Sequence, residues 1–297
     1  MPFTGELSAL FTACLWSGSA MLFASATRRV GSFQVNITRL ILAVVYLLLV
    51  IAVLRFDVNL SARQIFYLSV SGIIGLALGD TFLFKAFLEI GARISMLIMS
   101  LAPAIAAFMA YAVLGETLST VGALGIAVTV LGVSIVVLDR GSAASSDRKA
   151  VTTFGALCAV LAAAGQGAGL VFAKMAFREA EVNGFVATMV RIVASLIVLL
   201  PFALVTRRYD NPVRIFSRDR RAFLLTALGS VLGPFLGISF SLIAIEHTDI
   251  GIAATIMALV PILMLPSVRI IYKEKLTPRA IIGAFTAVGG VAVLFLR

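Results

Sequence analysis

Asp80 is the first residue of this sequence that could do chemistry. It stands between Gly79 and Thr81 in a run from Phe66 to Phe84 that carries no other charge. At that depth in an apolar segment an ionisable group costs about 2.5 kcal/mol or more, so it marks a function or a specific partner. The options are a proton carrier, a partner for a cationic substrate, or half of an ion pair with a basic residue on another helix. Lys85 lies five residues on, roughly 140° around a helix, and is not its natural partner. Asp80 is therefore the candidate for coupling or charge recognition.

The other candidates are polar or pliable rather than reactive. Trp16 is the only tryptophan and sits mid-segment, away from the interfacial belt where tryptophan is usual. With Ser17, Asn36, Ser95, Ser100, Tyr111 and Gln166 it could furnish a partly aromatic, partly hydrogen-bonding cavity. Met99 and Met257, with Met96, Met109 and Met264, suit core packing or an adaptable wall. Pro103 and Pro261 fall in the middle of apolar stretches, where each removes a backbone hydrogen bond; both are expected to line a pathway, as bending points or static kinks. Arg39 and Arg191 are expected to snorkel to headgroups near helix starts, and Lys85, Glu89 and Arg93 to form a solvated stripe at a helix end. Glu246, His247 and Asp249 read as a polar helix terminus.

No Gly-rich loop ending in Gly-Lys-Ser or Gly-Lys-Thr is present to cradle a nucleotide. One His and two Cys make a metal site of those residues improbable, and Cys14 and Cys158 are placed for packing rather than a disulfide. No cofactor, nucleotide or nucleic acid is expected.

The elements that must position these residues follow from composition. The 297 residues are 61% hydrophobic and only 13% charged, with a mean hydropathy of +1.10. Soluble chains carry about 25% charged residues. The net charge of +10 lies between apolar stretches rather than on one face, which argues against a nucleic-acid binder. Ten stretches are long enough to cross a bilayer, centred near Cys14, Tyr46, Gly75, Ala104, Val130, Ala164, Ser195, Pro234, Leu263 and Gly290. The first ends in Ala24-Ser25-Ala26, a cleavage-like pattern, yet no Lys or Arg precedes it; it is expected to remain as a helix.

Sliding the second half over the first by 158 residues aligns Gly75 with Gly233, Gly79 with Gly237, Pro103 with Pro261, Glu116 with Glu274 and Gly132 with Gly290. Asp80 then falls on Ile238. At slightly smaller offsets Arg39 meets Arg191, and Gly18 meets Gly167. Several rare residue types in one register signal a duplication. The expected organisation is a first unit at 1–140, a linker at 141–150 and a second unit at 151–297. Five crossings per unit is an odd number, so the two units enter the membrane from opposite sides, which is one physical solution to alternating access around a midplane site. The fold class is thus all-α integral membrane protein, with ten transmembrane helices as two inverted five-helix repeats. The stripes Ser71, Gly75, Gly79 and Gly229, Gly233, Gly237 are expected to let helices pack closely. Glu116 and Glu274 are expected to cap or tether hairpins.

Of the Lys and Arg residues outside helices, five fall on the side of the termini and fifteen on the other. The positive-inside rule puts the richer side in the cytoplasm and both termini outside.

These features resemble a known family. Leu101-Ala102-Pro103 leads to Gly115-Glu116-Thr117-Leu118-Ser119, and Leu259-Val260-Pro261 leads to Lys273-Glu274-Lys275-Leu276-Thr277; Leu15-Trp16-Ser17-Gly18 and Arg39-Leu40 complete the pattern. The chain is similar to the EamA-type branch of the drug/metabolite transporter superfamily over nearly its whole length. The resemblance implies secondary transport of small metabolites, often export of amino acids, amines or drug-like compounds across a bacterial inner membrane, rather than enzymatic action. Gly165-Gln166-Gly167 in place of Trp16-Ser17-Gly18 and Lys273 in place of Gly115 depart from it. The expected partners are a small-molecule substrate and the lipid bilayer, with a monomer sufficient and a homodimer compatible. An uncoupled exchanger or facilitator, or an intramembrane lipid-modifying enzyme, are the alternatives.

Overall fold

The structure is a computed structural model that describes residues 3–114, 120–137, 152–248, 250–271 and 277–295. All regular elements among them are helical. Helix α1 (Thr4–Val30) ends at Gly31, whose φ of 90° lets the chain turn directly into α2 (Ser32–Leu54). A capping box between Ser61 and Gln64 opens α3 (Ala62–Gly72), which runs through a π-helical stretch, Ile73–Gly79, into α4 (Asp80–Glu89). A turn at Gly91, with φ of 79°, leads into α5 (Gly91–Met99), then α6 (Ala102–Leu114) and α7 (Thr120–Val137).

The second half repeats this order. Thr152 caps α8 (Thr153–Glu179), and Asn183 caps α9 (Gly184–Val205). A short α10 (Pro212–Arg218) precedes α11 (Arg220–Ser230), which passes through a second π-helical stretch, Val231–Gly237, into α12 (Ile238–His247). Then come α13 (Ile250–Met257), α14 (Val260–Ile271) and α15 (Pro278–Phe295). Among the described residues, seven helices or continuous helical runs are long and apolar enough to cross a membrane, while α7 and α15 are apolar but shorter.

The two halves share their irregularities as well as their helices. The π-helical stretches begin at Ile73 and Val231, and the breaks fall at Ser100–Leu101 and Ala258–Leu259, in each case 158 residues apart. Those breaks correct the expectation that Pro103 and Pro261 interrupt continuous helices. Each is the second residue of a new helix, α6 or α14. In that first turn a backbone N–H has no intrahelical acceptor, so proline removes nothing.

Packing follows the glycine stripes. Gly75 and Gly79 face Gly165 and Gln166 of α8, and in the matching crossing Gly229 and Gly233 face the Phe23 ring of α1. Gly72 lets α3 approach so closely that a Cβ there would collide with the Arg191 carbonyl. Helices α7 and α15 pack on each other where Gly132 meets Ala287 and Gly290 meets Thr129. Close backbone approach is how helices gain van der Waals contact where lipid provides no hydrophobic drive. Glu116, Glu274, Asp249, Gly115, Lys273 and the linker at 141–150 lie outside the described residues.

Charged residues at the helix ends are arranged differently from expectation in one respect. Lys85 pairs with Glu89 at 3.3 Å, but the chain turns at Ile90–Gly91, so Arg93 belongs to α5 and the three do not share one stripe. His247 and Glu246 are exposed at the end of α12. Cys158 is buried, whereas Cys14 is exposed, and both are free.

Candidate functional site

A cavity of about 180 Å³ lies between the two halves. Its wall takes residues from α1, α2, α4, the α5–α6 break, α8, α9, α12 and the α13–α14 break; among the described residues none of α7 or α15 contributes. Trp16, Asp80, Met99, Pro103, Gln166, Met257 and Pro261, singled out in the sequence, all line it.

Asp80 is 4% exposed and heads α4, directly after the π-helical stretch. Its backbone N–H reaches back five residues to the Gly75 carbonyl. Such π turns are rare and recur at functional sites because they re-aim the residue that follows. One carboxylate oxygen of Asp80 accepts from Arg39 Nη2 in a buried ion pair, and the other accepts from Gln166 Nε2 at 2.8 Å. Of the options open for Asp80 in the sequence, the structure supplies the ion pair with another helix.

Arg39 is fully engaged. Its Nε donates to Asn36 Oδ1 at 3.0 Å, and its guanidinium stands over the Phe84 ring at 4.6 Å and the Phe23 ring at 5.2 Å. Each cation–π contact in a desolvated place is worth about 2 kcal/mol. Asn36 Nδ2 donates to Thr81 Oγ1 at 3.2 Å, which ties α2 to α4 beside the ion pair. Ser230 Oγ donates to the Arg39 carbonyl at 2.5 Å, binding the network to the second half.

Arg39 and Arg191 do not snorkel. Both are 5% exposed and both line the cavity. Each stands seven residues into its helix, about 10 Å from the helix start, too deep for the head to reach an interface through packed neighbours. They are the residues sequence reasoning missed, although their alignment across the two copies was the available signal. Among the described residues Asp80 is the only acid in the wall, which carries two guanidinium groups and one carboxylate.

Four other sequence candidates stand outside the wall. Asn36 positions Arg39, as described. Ser17 is buried away from the cavity, and Ser95 is spent on the Gly91 carbonyl at 2.8 Å. Tyr111 is 53% exposed; it lies about 12 Å along α6 from Pro103 and about 80° around it, which turns it from the cavity. Ser100 does line the wall, with its hydroxyl donated to the Leu97 carbonyl at 2.6 Å. Among the described residues no group of three His, Cys, Asp or Glu side chains could hold a metal ion.

The family model of the EamA-like transporters matches residues 3–138 and again residues 153–296. The chain belongs to the EamA-like transporter family. Each EamA match covers one of the two halves that share π turns and helix breaks. EamA membership makes the chain a multi-pass membrane protein and a member of the drug/metabolite transporter superfamily. The fold is similar to that of a solved structure titled only "Crystal structure of protein", with a TM-score of 0.69 at 19% identity, over 99% of this chain and 96% of that one. No curated protein matches.

Proposed function

We propose that this EamA protein is a secondary transporter that carries small metabolites through the central cavity by alternating access. The observation that carries the reading is a cavity walled by both copies and bordered by equivalent helix breaks, at Ser100–Leu101 and Ala258–Leu259. Discontinuous helices at a repeat interface are where transporters place substrate, because freed backbone groups are tolerated only beside a cavity. In this reading each half crosses five times, α3–α4, α5–α6, α11–α12 and α13–α14 each counting once. The halves then have opposite orientation, and rocking one against the other opens the cavity to either side.

The remaining features of the reading are export across an inner membrane, both termini outside, and Trp16, Met99, Pro103, Gln166, Met257 and Pro261 as substrate contacts. Asp80 then holds the Arg39 network rather than meeting substrate. A second reading, an uncoupled facilitator or exchanger, is favoured by one observation: both Asp80 oxygens are already engaged by donors. Reconstituted full-length protein, screened for metabolite flux with and without an imposed pH gradient, tests both. Flux that follows the gradient supports coupling, and flux that ignores it supports the facilitator. Absence of flux for every compound refutes transport, and a chemically altered product points to an intramembrane enzyme.

A further inference from the structure

The two copies build the same frame around their arginines. In the first, Asn36 of α2 bonds Thr81 of α4 at 3.2 Å, and the pair Arg39–Asp80 stands beside it. In the second, Thr188 of α9 meets Ser239 of α12 at 3.4 Å. Thr188 precedes Arg191 as Asn36 precedes Arg39, and Ser239 follows Ile238 as Thr81 follows Asp80. The backbone carbonyls correspond as well: that of Arg39 meets Ser230, and that of Arg191 meets Gly72, again 158 residues earlier. The helix-to-helix bonds and the carbonyl contacts are duplicated, but the acid is not. Where the first copy has Asp80, the second has Ile238, and both line the cavity.

Arg191 is therefore a buried cation with no acid of its own: Asp80, already paired with Arg39, acts on it only through space. It is 5% exposed, its Nε has no hydrogen-bond partner, and among the described residues it forms no direct ion pair. Burying a charge is costly unless a partner of opposite sign meets it. Asp80 makes no direct bond to it; its oxygens accept from Arg39 and Gln166, and its single charge is shared between two guanidinium groups. Gly75 lets the guanidinium lie close against the first π-helical stretch, for a Cβ there would stand 3.5 Å from Nη2.

We infer that Arg191 anchors the anionic group of the substrate, an amphiphilic organic monoanion whose carboxylate fills the place left by the missing acid. The inference rests on reading the cavity as the transport site, and adds the substrate's charge. One unpaired positive charge selects one negative charge. The guanidinium fork fits a carboxylate through two parallel hydrogen bonds. An apolar body is required by the rest of the wall, where Trp16, Phe84, Phe87, Leu76 and Met99 gather. The space is about 180 Å³, somewhat larger than the roughly 150 Å³ apolar cavity that takes up benzene, so a ring or branched chain fits. A substrate whose only charge is a cation has no free acid to meet.

Trp16, the only tryptophan, lines the cavity and provides the readout. Full-length protein in detergent at neutral pH is titrated with benzoate, benzyl alcohol and benzylamine, following Trp16 emission and, in parallel, heat of binding. Benzoate is expected to bind at least tenfold more tightly than either analogue. Arg191→Gln is expected to remove that preference, and Ile238→Asp, which supplies the absent acid while keeping Arg191, to weaken benzoate at least tenfold. Equal or tighter binding of benzylamine or benzyl alcohol overturns the inference, as does a folded Arg191→Gln protein that keeps the preference. Sodium sulfate displacing benzoate at equal concentration overturns the amphiphilic part. The wild-type ligand series decides even if a variant fails to fold. Binding is read apart from flux: selective benzoate binding without movement of any compound keeps the anion site and refutes transport, whereas flux of cations without anion preference does the reverse.

Discussion

Replacing Asp80 with Asn tests whether the Arg39 network holds the two halves in place. The substitution keeps the shape and one acceptor but removes the only carboxylate among the described residues of the cavity wall, leaving Arg39 and Arg191 buried together. Breaking a buried pair from one side costs about 3–5 kcal/mol, because the remaining charge is neither solvated nor matched. At about 2 °C per kcal/mol for a chain of this size, the melting temperature should fall by about 6–10 °C. The assay is thermal denaturation of purified protein in detergent, followed by Trp16 emission. Arg39→Gln alone should cost a similar amount. The double variant should recover about 3 kcal/mol relative to the sum of the singles, since neither charge is then stranded. If Asp80→Asn melts within 2 °C of the parent, or if the two substitutions add to within about 0.5 kcal/mol, the buried pair does not carry this stability.

Gly72→Ala should cost about 1–3 kcal/mol in the same assay by driving a Cβ into the Arg191 carbonyl, whereas Gly289→Ala, which meets nothing within 4 Å, should be neutral or slightly stabilising. Pro103→Ala should change stability by less than about 1 kcal/mol, because Pro103 occupies the first turn of α6; a loss nearer 3 kcal/mol would restore an interior kink. The hydrogen bond from Arg29 at 2.7 Å, with the Ala222 N–H, holds the Asp219 carboxyl below its usual range. A depressed carboxyl stabilises the fold above its unfolded-state pKa of about 3.9 and loses that contribution as pH falls through the folded value. Arg29→Gln should therefore lower the melting temperature near pH 5 and leave it almost unchanged near pH 2, giving a shallower acid limb in melting temperatures taken between those values.

The duplication was legible because it rests on rare residues in one register, Pro103 with Pro261 and Gly132 with Gly290, and the structure places each pair at equivalent points. The glycine stripes were legible for the same reason. The π turns were not. A shift from a four-residue to a five-residue hydrogen bond leaves an almost uniformly apolar segment such as Ile73–Gly79 without any change of pattern. The helix breaks were misplaced by two residues, since a proline reads alike in a kink and in a first turn. Arg39 and Arg191 were misread because their depth depends on where α2 and α9 begin, and a few residues of error at a boundary separates a headgroup contact from a buried charge. Asp80 was found from its cost alone, but its partners lie 41 and 86 positions away, distances that only folding can bridge.

Gene duplication has left this protein with a spare. The Arg39 network occupies one of two equivalent corners and keeps the bundle together, which frees the other corner from that duty. On the proposed reading, a change at Ile238 would alter what the chamber accepts without loosening the first corner's clamp.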